Sequence, residues 1–254
     1  MRPIIGISCA LQKPDGTGPV PTSSTPNYYV NSDYCSAVEE IGAIPVIVPM
    51  IHDEAVITEL LKGLDAIIFT GGGSALPKEV REQPYLPSLE EQNPERYRFD
   101  SYLIQEVLAL DMPTIGICRG HQMINDVLGG KLYSKIQTEI AGAKCHHQGD
   151  TPGKEAWHAI DLESGSKLRQ IMGEDTLKVN SFHNQSILKV GEGLKIVAHA
   201  PDGVVEAIES QEHTFVFGVQ FHPEKMRAET FAQRFFTAFR AAAENYRRVR
   251  KARG

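Results

Sequence analysis

The chain has 254 residues, of which 41% are hydrophobic and 23% are charged, and its formal net charge is −6. This composition is typical of a globular protein long enough for one large α/β domain. A negative chain has no general attraction for nucleic acid, and no apolar run approaches the ~18 residues of a membrane span. We therefore expect a soluble protein with no nucleic-acid and no membrane partner.

The N-terminus and the cysteines indicate the compartment. The first residues, MRPIIGISCA, lack the long apolar core of a signal peptide, so we expect a cytoplasmic location. Four cysteines, Cys9, Cys35, Cys118 and Cys145, show no C-x-x-C pairing. In the cytoplasm they should be reduced thiols.

The first half of the chain alternates between strand and helix patterns. The predicted strands are PIIGIS (3–8), AIPVIVPM (43–50), DAIIFTGGG (65–73) and PTIGIC (113–118). The predicted helices are NSDYCSAVEEIG (31–42), DEAVITELLKGL (53–64), RYRFDSYLIQEVLAL (96–110) and one that begins at Arg119. Residues 9–27 and 74–95 are rich in proline and polar residues and are predicted as surface loops. This alternation indicates a parallel sheet with helices on both faces.

The second half consists mainly of short β segments. They are EAWHAIDL (155–162), TLKVNSF (176–182), LKIVAHA (194–200), VVEAIES (204–210) and TFVFGVQF (214–221). A strong helix pattern follows over residues 228–252. Since no repeat or linker divides the chain, we predict one α/β domain over residues 1–254. Its central sheet should be mostly parallel and flanked by helices, with a smaller, partly antiparallel β region.

The sequence GICRG places Cys118 between a predicted strand and a predicted helix. Such a corner lies at the carboxyl end of the sheet, where open α/β folds bind ligands. Gly116 and Gly120 would relieve crowding at a strained turn. Unpaired N–H groups at a helix N-terminus favour a thiolate, and the N–H of Arg119 would face an oxyanion. Taken alone, this pattern also fits a buried structural cysteine.

A nucleophilic cysteine needs a base, and His222 is the best candidate. It ends the apolar run TFVFGVQF and is followed by Pro223 and Glu224. Pro223 would fix the turn, and the Glu224 carboxylate could hold the imidazole ring. Taken alone, His222 could be a surface histidine at a strand end. A cysteine and a histidine that both end strands, with an orienting carboxylate, instead favour a Cys118–His222–Glu224 triad for acyl transfer.

Three segments resemble the class I glutamine amidotransferase-like superfamily. They are GICRGHQMINDVLGG (116–130), DGVVEAIE (202–209) and GVQFHPE (218–224). Within it they are most similar to the free-standing γ-glutamyl hydrolases, a branch that includes the γ-glutamyl-γ-aminobutyrate hydrolase of putrescine breakdown. The resemblance implies that Cys118 is the nucleophile, His222 the general base and acid, and Glu224 its orienting group. The implied activity is release of glutamate from a small γ-glutamyl conjugate through a γ-glutamyl thioester.

The same resemblance implies residues that contact the substrate. A second oxyanion donor would come from the glycine-rich strand end, at Gly72 or Gly73, opposite the N–H of Arg119. Gln122 would lie near the glutamyl group, and VNSFHNQSI (179–187) would line the glutamyl pocket. The candidates in that segment are Ser181, His183 and Gln185. An ordinary Asn/Ser-rich turn is the alternative interpretation of the segment.

Two segments depart from the hydrolase branch. GGGSALPKEVREQPY (71–85) lacks the aspartate that usually follows the glycines, and RYRFDSY (96–102) has Arg98 and Asp100 offset from an R-D-x-x-E pattern. Both segments should flank the mouth of the site. The leaving amine is therefore left open among γ-aminobutyrate, a polyamine, an amino acid and ammonia.

Three other functions remain as alternatives. The first is an amidotransferase subunit that passes ammonia to a synthetase. The lack of room for a synthetase domain in this chain argues against it, but a separate synthetase chain could serve as the partner. A non-catalytic binding protein would not need a converging Cys, His and Glu. A peptidase or esterase of a related fold would not be expected to keep the segment 181–185.

The sequence indicates no metal and no organic cofactor. No His, Cys or Asp spacing matches a known ligand pattern. The irregular run CHHQGD (145–150) could bind a metal, but its pattern favours an exposed loop. The expected partner is the small γ-glutamyl substrate. Whether two copies form a homodimer is left open.

Overall fold

The computed structural model describes residues 2–12, 25–72, 78–147 and 157–253. The strands are β1 (Ile4–Ser8), β2 (Ala10–Gln12), β3 (Asn27–Tyr29), β4 (Ile44–Val48), β5 (Ala66–Phe69), β6 (Thr114–Ile117), β7 (Lys131–Tyr133), β8 (Trp157–Leu162), β9 (Thr176–Asn180), β10 (Ser186–Lys189), β11 (Leu194–His199), β12 (Val205–Ser210) and β13 (Val216–Val219). The α-helices are α1 (Ser32–Glu40), α2 (Glu54–Gly63), α3 (Lys78–Arg81), α4 (Leu89–Gln92), α5 (Pro94–Ala109), α6 (Arg119–Val127), α7 (Ile136–Glu139), α8 (Lys167–Met172) and α9 (Thr230–Arg253).

Nine strands form one sheet in the order β4-β1-β5-β6-β13-β12-β11-β8-β9. Neighbours from β4 to β13 pair in parallel, and neighbours from β13 to β9 pair antiparallel. Every residue of β5, β6 and β13 is buried, because helices cover both faces of these central strands. The predicted α/β class is confirmed, and the predicted antiparallel region continues the same sheet.

Two hydrophobic clusters cover the two faces of the sheet. Adjacent residues of β5 show the division, since Ile67 belongs to the cluster that includes residues of α2, α5 and α6, whereas Ile68 belongs to the cluster that includes residues of α1, α8 and α9. This is the expected result of side chains that alternate across a strand. Among the described helices, none is both long and apolar enough to cross a membrane.

The two predicted loops contain more structure than the sequence indicated. Within residues 9–27, β2 pairs antiparallel with β3, while residues 13–24 lie outside the described part of the chain. Within residues 74–95, Ser88 begins α4 with a reciprocal capping box to Glu91. Leu86 and Leu89 of this segment are buried. The segment therefore packs against the domain.

Candidate active site

Cys118 lies at the corner between β6 and α6, with φ 53° and ψ −104°. Residues with a Cβ rarely adopt such a conformation. The corner is also tightly packed: a Cβ on Gly116 would lie 2.5 Å from the carbonyl of Gly120. A Cβ on Gly120 would lie 2.2 Å from the carbonyl oxygen of Phe69. The two glycines therefore allow the sharp turn that presents the thiol at the carboxyl end of the sheet.

His222 and Glu224 meet Cys118 at this edge. β13 pairs with β6, so the end of β13 places His222 beside the corner. The Nδ1 of His222 lies 2.6 Å from Oε1 of Glu224, and His222 and Cys118 line the same cleft. Asn180 fixes the backbone of His222: its Oδ1 accepts from the His222 N–H at 2.8 Å, and its Nδ2 donates to the carbonyl at 3.0 Å. The three predicted triad residues thus converge at one edge of the sheet.

The electrostatics favour a charged imidazole. Burial lowers the pKa of His222, but the carboxylate of Glu224 and then the charge of Cys118 outweigh it and raise the pKa to about 10. Glu224 is fully buried, and among the described residues its Oε2 has no hydrogen-bond partner. At neutral pH His222 is therefore an imidazolium, which is the usual partner of a nucleophilic thiolate.

Two of the predicted oxyanion donors lie next to Cys118. Arg119 is the first residue of α6, so its N–H has no acceptor within the helix. Gly72 and Arg119 both line the cleft that contains Cys118. The N–H of Gly71 is already engaged, since it donates to the Tyr34 hydroxyl at 2.9 Å. Gly73 lies outside the described residues.

Arg96 anchors the strand end that leads to Gly72. The Arg96 guanidinium is buried and donates to the carbonyls of Gly71 and Thr70, both at 2.9 Å. Its Nε donates to Asp100 at 3.1 Å within α5. Because these bonds hold two consecutive backbone carbonyls, Arg96 fixes the orientation of the glycine-rich turn.

Arg96 and Asn180 are site residues that the sequence analysis missed. The R-D-x-x-E comparison had singled out Arg98 and Asp100. Arg98 is exposed, however, and Arg96 makes the ion pair with Asp100. The sequence did contain a signal for the Arg96–Asp100 pair, because residues four apart on a helix lie on the same face. Asn180 offered no comparable local signal, because its partner is 42 residues away.

A cleft of about 280 Å³ opens in front of Cys118. Of the predicted substrate residues, Gln122, His183 and Gln185 line it. Ser181 is not in its described lining. The Ser181 hydroxyl is fully buried and donates to the carbonyl of His146 at 2.7 Å, so this residue supports the lining from behind.

Amide side chains join two walls of the cleft. The Nε2 of Gln122 donates to the carbonyl of Gln185 and to Oε1 of Gln220, both at 3.0 Å. Gln185 accepts from Gln92 at 2.8 Å and donates to the carbonyl of Pro87 at 3.2 Å. The segment predicted as a surface loop thereby forms one wall of the cleft.

A second cluster lies behind His183. Ligand-type atoms of His146, His158, His183 and Glu206 all lie within 4.8 Å of one another, in a search of the described residues. No metal site was predicted, and His146 was assigned to an exposed loop. That assignment is wrong for His146, which is buried. Residues 148–150 of the same run lie outside the described part of the chain.

Comparisons with known proteins agree with this architecture. The NtpR protein of Enterococcus hirae is 34% identical over 88% of this chain and 92% of its own. A γ-glutamyl-γ-aminobutyrate hydrolase of Escherichia coli O157:H7 is 29% identical over 84% of this chain and 85% of its own. The crystal structure of a glutamine amidotransferase from Thermotoga maritima shares the fold, with a TM-score of 0.57 and 14% identity over 97% of this chain and 96% of its own.

A family model places the chain more firmly than any single relative. The model for peptidase C26 matches residues 3–224, a range that spans the parallel strands, the corner at Cys118 and the His222–Glu224 pair. The chain therefore belongs to the peptidase C26 family, on a glutamine amidotransferase-like class I fold.

Proposed function

We propose that the protein is a cysteine-dependent hydrolase that cleaves the γ-glutamyl amide bond of a small γ-glutamyl conjugate. The observation that carries this proposal is the convergence of Cys118 and the His222–Glu224 pair on one cleft lined by amide side chains. The preferred substrate class is γ-glutamyl-γ-aminobutyrate or a similar γ-glutamyl amine. The name of the Escherichia coli relative supports that choice.

The reaction would proceed in two steps. The Cys118 thiolate attacks the δ-carbonyl carbon, while the N–H groups of Arg119 and of Gly72 or Gly73 hold the oxyanion. The His222 imidazolium gives its proton to the departing amine, which leaves a γ-glutamyl thioester. His222, oriented by Glu224, then takes a proton from water as the water attacks the thioester. Glutamate is released and the thiolate and imidazolium are restored.

The charge of the cleft suits a glutamyl group. Burial and then the charge of Arg96 lower the pKa of Arg119 to about 10, so its guanidinium is still cationic at neutral pH. Its Nε has no hydrogen-bond partner among the described residues. Lys225, the other lysine or arginine among the described lining residues, is paired with Asp33 at 3.0 Å. Arg119 is thus the better candidate to bind a substrate carboxylate.

A glutaminase is the second candidate, because the same first step on glutamine would release ammonia. The Thermotoga maritima structure of the same fold is named a glutamine amidotransferase. In that case the chain would deliver ammonia to a separate synthetase chain, and its activity should rise when that partner is present.

The test is glutamate release from a panel of γ-glutamyl conjugates and from glutamine. Cys118→Ala should lower kcat by several orders of magnitude on every substrate, as expected when a nucleophile is removed. Cys35→Ala, which changes a half-buried thiol on α1, is the matched control and should retain activity. A conjugate far ahead of glutamine supports the hydrolase, and glutamine alone supports the glutaminase. Silence of the wild-type protein across the whole panel would overturn the free-standing hydrolase, and a glutaminase would then have to depend on its synthetase partner for activity.

A further inference from the structure

Three histidines and one glutamate converge from four separate segments of the chain. Glu206 belongs to β12, His158 to β8 and His183 to the connection between β9 and β10, while His146 follows α7. Glu206, His146 and His183 are all buried, and His158 is half-buried. None of the triad residues belongs to this cluster.

The distances from the Glu206 carboxylate to the three imidazole rings are longer than those of normal hydrogen bonds. Oε1 of Glu206 lies 3.4 Å from Nδ1 of His146, 3.3 Å from Nε2 of His158 and 3.4 Å from Nε2 of His183. An N–H···O bond is normally about 2.7–3.2 Å long. Zinc bonds to these ligands are about 2.0–2.2 Å, so ligand atoms at the corners of a tetrahedron are about 3.3–3.5 Å apart. The three separations from Glu206 match the edges of such a tetrahedron, and all four ligand atoms lie within 4.8 Å of one another.

The remaining nitrogen of each ring is occupied by an oxygen acceptor. Metal-binding histidines characteristically donate this N–H to a carboxylate or a backbone carbonyl, which fixes the tautomer and directs the other lone pair at the metal. The three contacts are His146 Nε2 to Asp202 Oδ2 at 3.0 Å, His183 Nδ1 to the Gln185 carbonyl at 3.1 Å and His158 Nδ1 to the Ala159 carbonyl at 3.2 Å.

The inward-facing atoms of the cluster need a cation. Both carboxylate oxygens of Glu206 and the Nε2 atoms of His158 and His183 are buried with no hydrogen-bond partner among the described residues. A buried carboxylate without partners is costly. A divalent ion at the centre would bind Oε1 of Glu206 and the two Nε2 atoms. The two positive charges of the ion would be balanced by the carboxylates of Glu206 and of Asp202, which hydrogen-bonds His146. The net charge of the site would therefore be zero.

We propose that His146, His158, His183 and Glu206 bind one zinc ion. Because all four tetrahedral positions are filled by protein atoms, the site is structural. It would tie the antiparallel half of the sheet to the segment 183–185. The Gln185 carbonyl accepts from both His183 and Gln122, so the ion would fix one wall of the cleft. Metal binding itself does not depend on the proposed reaction.

The test measures metal content in protein prepared without a histidine tag. Mass spectrometry of the elements should find about one zinc per chain, and cobalt(II) should give the absorption of a tetrahedral site. A chelator should lower Tm and zinc should restore it. His158→Gln removes a ligand, and Asp202→Asn removes the partner of His146. Each should weaken zinc affinity by about ten- to a hundredfold or more.

Two controls separate this site from others. His199→Gln changes an exposed histidine on β11 and should leave zinc content and Tm unchanged. Cys118→Ala should also retain the ion. Zinc that is lost in Cys118→Ala but kept in His158→Gln would place the metal at the thiol and overturn the proposal. Absence of zinc from the purified protein, with no change in Tm when zinc is added, would also overturn it and show a metal-free charge cluster.

Discussion

Replacing Arg96 by methionine should reduce both stability and activity, and the two losses can be separated. The side chains of Arg96 and Asp100 are each 2% exposed and form an ion pair at 3.1 Å. Removal of the cation leaves a buried carboxylate unpaired, which typically costs about 3–5 kcal/mol. At about 2–4 °C per kcal/mol for a domain of this size, Arg96→Met should lower Tm by about 6–20 °C.

A second substitution distinguishes the ion pair from the positioning role. In Arg96→Met/Asp100→Leu the unpaired charge is gone, so most of the lost stability should return. The carbonyls of Thr70 and Gly71 still lack their guanidinium donors in this double variant. Those carbonyls hold the turn that presents the Gly72 N–H. The kcat of the double variant should therefore stay about 10²–10³-fold below that of the wild type, which is the usual effect of losing one oxyanion donor.

The assays are thermal unfolding and the separate measurement of kcat and KM for glutamate release. Arg98→Met, on the exposed face of the same helix, is the matched control and should change neither property. If the double variant recovers both Tm and kcat, Arg96 acts only through the stability of the fold. The inference that it positions the oxyanion turn would then be refuted.

Two further substitutions test the triad and the corner. Glu224→Gln removes the charge that helps to hold the pKa of His222 at about 10. The raised pKa contributes stability that is full below about pH 6.5 and lost as pH rises through about 10, so the difference in unfolding free energy between wild type and variant should shrink across that window. A difference that is constant with pH would contradict this. Gly120→Ala places a Cβ 2.2 Å from the Phe69 carbonyl oxygen and should cost at least about 1–3 kcal/mol, measured by denaturant unfolding. The control Gly63→Ala meets no atom within 4 Å and should be neutral or stabilising; equal losses in both variants would contradict the packing argument.

The fold was predictable because its signals are local. The central strands are apolar runs that are buried on both faces. The helix predicted over residues 53–64 is present as α2, and the Oδ1 of Asp53 caps it by accepting from the Ala55 N–H at 2.9 Å. The wall formed by residues 84–93 was not predictable in the same way. Its prolines and charges indicate a surface, whereas Leu86 and Leu89 are buried by contacts that only the folded chain provides.

The same distinction applies to the site. Cys118, His222 and Glu224 each belong to a short motif at the end of a strand, so topology alone brings them to one edge of the sheet. The cluster around Glu206 has no such motif. His146 lies 60 residues before Glu206 in the chain, and the residues around His146 show no regular spacing of metal ligands. The antiparallel pairing of β8, β11 and β12 brings His158 near Glu206, and the His183 N–H donates to the His146 carbonyl at 2.9 Å.

A short path of hydrogen bonds joins that cluster to the cleft. The Gln220 N–H donates to the carbonyl of Glu206 at 2.8 Å, and the Gln220 side chain accepts from Gln122. Gln122 also donates to the Gln185 carbonyl, which accepts from His183 in the cluster. The path thus begins and ends at the cluster, and its members lie on β12, directly after β13, on α6 and in the segment 183–185. These hydrogen bonds hold this side of the cleft in one conformation, whichever substrate binds. Discrimination between leaving amines should therefore depend on the wall formed by residues 84–93.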